Sequence, residues 1–155
     1  MDIHYSSKSN EWSTPDWLFD LLNEKYNFEL DPATNSLNSK CKKYYTIKDN
    51  GLEQNWSRYS VFCNPPYGRE IGKWVKKAYE ESLEGDKPIV LLIPAMTDTL
   101  YWYNYIFGRA DSIYFIKGRL KFGDSKNSAP FPSAIVIYND YDKHIGALNL
   151  DKYKE

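Results

Sequence analysis

Asn64-Pro65-Pro66-Tyr67 is the stretch of this chain whose residue types can do chemistry together. Two consecutive prolines fix φ and remove both backbone donors, leaving a stiff turn that presents the Asn64 side-chain oxygen and the Pro65 carbonyl. Such a pair suits an exocyclic aromatic amine like that of adenine, a poor nucleophile because its lone pair is delocalised into the ring. Two rigid acceptors, each taking one N–H, favour the pyramidal amine and aim its lone pair at an electrophile. No strong base is needed where the leaving group is neutral. Tyr67 has the shape to stack on a base swung out of a duplex, offsetting part of a flipping cost of a few kcal/mol. Alternatively, the four residues form a proline turn opened by asparagine, with no chemistry at all.

Elements on either side must hold that turn in place. Ser60 to Cys63 is a short apolar strand ending abruptly at Asn64, and open α/β sheets bind ligands at the carboxyl ends of their strands. Ile71, Trp74, Val75 and Ala78 mark an amphipathic helix over 70–84, stopped by Gly85. Upstream, Thr14 reads as an N-cap and Pro15 as the first position of a helix over 15–25. Phe28 to Leu30 is a short strand running into Asp31-Pro32-Ala33, and Lys43 to Lys48 has strand composition ended by Asp49-Asn50-Gly51. Downstream, Pro88 to Ile93 is apolar throughout, as expected of a strand covered on both faces. Thr97 or Asp98 can cap another helix with Leu100, Tyr103, Ile106 and Phe107 on its face. Ser112 to Ile116 and Ser133 to Tyr138 are clear strands, and 145–150 is a weak one. This order predicts an α/β sheet, mostly parallel, with an antiparallel strand near its end.

Composition narrows the classes. The 155 residues fit one domain, with a loose lead-in at 1–10 and a charged tail at 139–155. Apolar residues make up 42% and aromatics 17%, far from a disordered composition. No apolar run has membrane-spanning length, and the first residues carry no signal-peptide pattern. Cys41 and Cys63 read as buried thiols in a reducing compartment; with His4 and His144 near opposite ends, no metal site is expected. A net charge of −1 excludes a generic polyanion binder, yet 117–126 carries four basic residues against one acidic. That run is either a solvated loop or a nucleic-acid contact.

Taken together, EWSTPDWLF, FELDPATNSLNSKCKKYY, DNGLEQNW, VFCNPPYG with IGKWVKKA, LLIPAMTDTLYW, and IKGRLKF with APFPSAIVIY resemble the phage-type DNA N6-adenine methyltransferases. This is a small Dam-like family of the class I methyltransferases, and the match covers roughly residues 11–138 in order. The resemblance implies a Rossmann-like fold, S-adenosylmethionine as cofactor, DNA as partner and the cytoplasm of a bacterial host as the compartment of a phage or prophage enzyme. It also implies cofactor contacts from Trp12, Ser13, Thr14 and Pro15, from Asp31, Pro32 and Ala33, and from Asp49 and Asn64. Judged without the family, Asp31 caps a turn as readily as it binds a ligand, and Asp49 before Asn50-Gly51 reads somewhat more readily as a turn residue than as a ligand contact. Related enzymes place a loop over the substrate base where GRLKF stands. Lys117, Arg119 and Lys121 are therefore candidate DNA contacts and Phe122 and Phe131 candidate stacking partners, unless the two rings merely tuck the loop down.

The sequence departs from the family's pattern in one place. A glycine-rich turn usually follows the first strand, whereas Thr34-Asn35 stands there and no glycine precedes Gly51. Asparagine can supply the left-handed backbone in its stead, and Glu53 is the available ribose-binding acid. No insert is large enough for a separate target-recognition domain, so shallow sequence discrimination is expected. The rival functions are methylation of an RNA amine or a protein glutamine, and a binder of nucleic acid or cofactor without catalysis.

Overall fold

The computed structural model describes residues 12–123 and 125–154; the expected lead-in at 1–10, with His4, and Asp124 of the basic run lie outside the described residues. Helix α1 spans Asp16–Tyr26 with Pro15 as its N-cap, and no side chain caps it. Asn27 closes it in the left-handed conformation at φ 52°, a region asparagine tolerates better than other non-glycine residues. There follow β1 (Leu30–Asp31), β2 (Lys43–Tyr44), a 3₁₀ turn at Gly51–Glu53, β3 (Val61–Cys63) and α2 (Ile71–Leu83). The chain continues through β4 (Ile89–Pro94), α3 (Leu100–Tyr105), β5 (Ser112–Ile116), β6 (Ser133–Tyr138) and β7 (His144–Leu148).

One seven-stranded sheet runs in the order β2-β1-β3-β4-β6-β5-β7. The pairings β1–β2, β1–β3, β3–β4 and β5–β7 are parallel, and β6 alone runs against both of its neighbours. This is the class I methyltransferase arrangement that the resemblance implied. Strand β4 sits at the centre, and its alternation explains its unbroken apolar sequence. Ile89, Leu91 and Ile93 face Trp74, Val75, Ala78 and Trp102 of α2 and α3. Val90 and Leu92 face Leu18 and Phe19 of α1 together with Leu120, Phe122 and Phe131 from the 117–132 connection. Both sides are thus dry, and every residue of β4 and β6 is buried.

Three expectations need correction. The strand expected over 43–48 shortens to two residues, because the Asp49 carboxylate accepts from the Thr46 N–H and draws the chain into a turn. The helix expected to begin at Thr97 or Asp98 begins at Leu100 with Thr99 as its N-cap. Its buried side is Trp102, continued by Ile106, while Leu100 and Tyr103 point to solvent.

For function, the important point is where β1 and β3 end. They are parallel neighbours with Leu30 level with Val61, so Asp31 and Asn64 emerge at the same edge of the sheet. The chain leaves β1 to pair with β2 on one side, then crosses to build β3 on the other. The crevice between β1 and β3 is a topological switch point, the usual ligand position in an open α/β sheet.

Candidate active site

A cavity of about 500 Å³ opens at that edge, within the range of cofactor pockets. Its walls include Asn64, Pro65, Pro66 and Tyr67 after β3, and Asp31, Pro32 and Ala33 after β1. Trp12, Ser13 and Thr14 supply a third wall. Ten of the sequence-predicted residues therefore share one space.

Asn64 is the centre of the geometry. Its Nδ2 donates to the Trp12 carbonyl at 2.6 Å and to Thr14 Oγ1 at 3.0 Å. Its Oδ1 is buried and accepts from nothing; among the described residues only Ser133 Oγ shares that condition. Leaving a buried acceptor unmade costs roughly 1–3 kcal/mol, so such an atom calls for an explanation beyond folding. Thr14 does not cap α1 as its sequence position predicted; its hydroxyl serves Asn64.

Tyr67 donates its hydroxyl to the Leu92 carbonyl at 3.1 Å, which pins the proline turn to β4. Burial pushes that hydroxyl's pKa well up, so it stays protonated and keeps donating. The ring lies beside the Trp12 indole, with centroids 6.4 Å apart and planes 26° from parallel. Phe122 and Phe131 meet the same indole edge-on at 5.5 and 5.1 Å.

Asp31 is 4% exposed. Its carboxylate accepts from the Ala33 N–H at 3.4 Å and the Lys40 N–H at 3.2 Å, bonds that lower its pKa but less than burial raises it. The balance pushes it up to about 6. Asp31 in turn adds to the burial that holds the Cys63 thiol well above its usual range and the Cys41 thiol up at about 12, so neither is a nucleophile.

Not every predicted residue joins the site. Pro15 is buried at the head of α1 and does not line the cavity. Asp49 does not line it either; its carboxylate closes a turn by accepting from Thr46 N and Thr46 Oγ1. Glu53 is exposed on the 3₁₀ turn. Phe122 and Phe131 are 1% and 8% exposed, so they hold the 117–132 connection down rather than offering a face to a base. The alternation that buries Leu120 and Phe122 turns Arg119 and Lys121 outward. Lys117 is exposed as well, but pairs with Asp151 at 2.6 Å.

The residues missed from sequence surround the predicted ones: Asn35, Lys40 and their neighbours after β1, Ile47 and Gly51 after β2, Phe62 within β3, and Trp74 on α2. Gly51 answers the question of the absent glycine turn. A Cβ there would lie 2.2 Å from the Pro32 carbonyl and 3.1 Å from the Trp74 ring. The close backbone approach beside β1 is thus made by a glycine arriving from the far side of β2. On the cavity wall, the left-handed asparagine is Asn50, at φ 56°, rather than Asn35, whose side chain instead accepts from the Leu37 and Asn38 N–H groups.

These walls fit S-adenosylmethionine. A buried carboxylate suits a group bearing ammonium and sulfonium charge, apolar faces from Ile47, Phe62 and Trp74 suit a purine, and Asn64 lines the same space.

Comparison with known proteins identifies the family. A family model described as DNA N-6-adenine-methyltransferase (Dam) matches residues 4–154. A "DNA N-6-adenine-methyltransferase" of Escherichia phage T1 is 34% identical over 111 residues, covering 70% of this chain and 45% of that protein. An Escherichia coli K12 protein described as "Putative methyltransferase YfdM" is 40% identical over 65 residues, covering 37% of this chain and 71% of that protein. The chain therefore spans less than half the length of the phage T1 relative. Because the family model takes in nearly the whole sequence, the chain belongs to the DNA N-6-adenine-methyltransferase (Dam) family.

Proposed function

We propose that this chain methylates the exocyclic amino group of adenine in DNA, with S-adenosylmethionine as the methyl donor. The observation that carries this reading is the unpartnered, buried Oδ1 of Asn64, a residue that lines the cavity. An acceptor fixed there by bonds to its own nitrogen costs stability and is repaid only when a donor arrives. The exocyclic amine brings two N–H donors, one for Asn64 Oδ1 and one for the Pro65 carbonyl.

S-adenosylmethionine supplies, when bound, an electrophilic methyl carbon with a neutral thioether as its leaving group. Trp12, Ser13 and Thr14, the Asp31 to Ala33 corner and the Gly51 backbone would hold it. Asp31 balances its positive charge, and burial strengthens that attraction relative to water. Asn64 and Pro65 orient the amine and stabilise positive charge as it builds on nitrogen, help prepaid by the stiffness of the two prolines. Tyr67, pinned through its hydroxyl, offers a flat surface beside the amine. Arg119 and Lys121, exposed on the outside of the 117–132 connection, would contact phosphates.

The test is product analysis. Purified chain, duplex DNA and methyl-labelled cofactor are incubated, and the DNA is digested to nucleosides. N6-methyladenine is expected, reduced about 100-fold or more in Asn64→Ala. Label entering RNA or protein in place of DNA, or no methyl product at all, would overturn the proposal.

A further inference from the structure

We propose that Thr14 is a positioning residue whose hydroxyl sets the direction in which the Asn64 amide points. The inference deepens the adenine-amine reading and rests on it. An asparagine side chain carries two donors on nitrogen and an acceptor on oxygen, and a half-turn about its last bond exchanges them. The sense of that half-turn decides between gripping an amine and opposing it, since an amine presents N–H groups.

Here the half-turn is not free. The Trp12 backbone oxygen, 2.6 Å from Nδ2, can only accept, so nitrogen must face it. The second N–H goes to Thr14 Oγ1 at 3.0 Å. With both donors spent on the N-terminal segment, Oδ1 is the end left over, and it is the end without a partner. The reversed amide would set two carbonyl oxygens against each other at Trp12 and aim its own N–H groups at those of the substrate. Trp12 fixes the sense of the amide by a main-chain atom that no substitution removes. Thr14 fixes its rotation by a side chain that substitution can remove.

Neither role was visible along the chain. Thr14 stands at a helix-capping position, yet Pro15 is the N-cap and no side chain caps α1. Its hydroxyl is committed to a residue fifty positions away.

Thr14→Val keeps the shape and deletes the acceptor, and Thr14→Ser puts an acceptor back. With saturating cofactor and duplex DNA, kcat of Thr14→Val should fall about 10- to 100-fold, the effect of one lost hydrogen bond that leaves a donor unpaired. KM for DNA should stay within about threefold, and Thr14→Ser should recover most of kcat. A second arm needs no catalysis. In ¹⁵N-labelled protein, both Asn64 side-chain N–H protons should exchange slowly with water, one of them losing protection in Thr14→Val and regaining it in Thr14→Ser. Unchanged kcat in the valine variant, an equal fall in both variants, or fast exchange in the wild type would each overturn the inference. Wild type that protects the amide but makes no methyladenine would sink the adenine reading and leave the clamp standing.

Discussion

Asp31 is held in the cavity at a cost, and the sign of that cost can be measured. Its carboxyl is pushed up to about 6 mainly by burial, against an ordinary value near about 3.9. The fold therefore favours the protonated form. The associated stability is complete below about pH 4 and is lost as pH rises through about 6, a difference of roughly 3 kcal/mol. The ligand-free protein should melt at a higher temperature as pH is lowered from about 8 to about 5.5, and Asp31→Asn should flatten that rise in calorimetry. Glu29 and Asp151 work in the opposite sense. The Ser60 N–H and Lys87 hold Glu29 below the usual carboxylate range, and Lys117 does the same for Asp151. Their contributions disappear only as pH falls below about 4, which separates the two windows. Asn64 stood out as a candidate because it follows a strand at a turn, whereas Asp31, which ends a strand, was picked out only by the family resemblance; both line the cavity. The partner of Asn64 was not, because capping rules look a few residues ahead and Thr14 is committed far along the chain.

At the scale of elements, the strands were easiest to read where burial is complete. Ser112 to Ile116 and Ser133 to Tyr138 have the bounds their composition predicts, since a β-branched run inside a sheet has few competing structures. Short edge elements were harder. KYYTIK has the composition of a strand, but local bonds around Asp49 override it after Tyr44. The 117–132 connection hid its alternation behind its charge: with Leu120 and Phe122 turned in, its basic residues turn out, and the two phenylalanines become core. The 3₁₀ turn at Gly51–Glu53 carries the least expected job, closing the cavity wall where a glycine-rich turn was anticipated. Because Pro32 contributes main-chain oxygen to that contact, it cannot swing aside as a side chain would. Gly51→Ala should therefore lower the denaturant midpoint by the equivalent of about 1–3 kcal/mol. It should also weaken cofactor binding in calorimetric titration; full affinity in a folded alanine variant would show that the wall tolerates a side chain.

Across the whole molecule, the pattern of charge bears on how the proposed DNA substrate would be met. Net charge is −1, so attraction to a polyanion has to be local. Arg119 and Lys121 face outward, and no ion pair involving either is present among the described residues. Lys117, by contrast, is engaged with Asp151, and Lys154 donates to the Lys117 carbonyl. If Arg119 and Lys121 each neutralise one phosphate, replacing both with glutamine should reduce the slope of log affinity against log salt by about 2. Lys117→Gln should change it less. Equal slopes for wild type and the double variant would move the DNA surface elsewhere.

The Gly123 N–H donates to the Ser13 carbonyl at 2.8 Å, and that bond has a mechanical meaning. It moors the outer turn, where a phosphate chain would press, to the strap whose next residues on either side hold Asn64. Load applied at the rim would reach the Asn64 amide across two hydrogen-bonded links. In the proposed function, grip on the polymer and aim at the base would thus be strung on one tether.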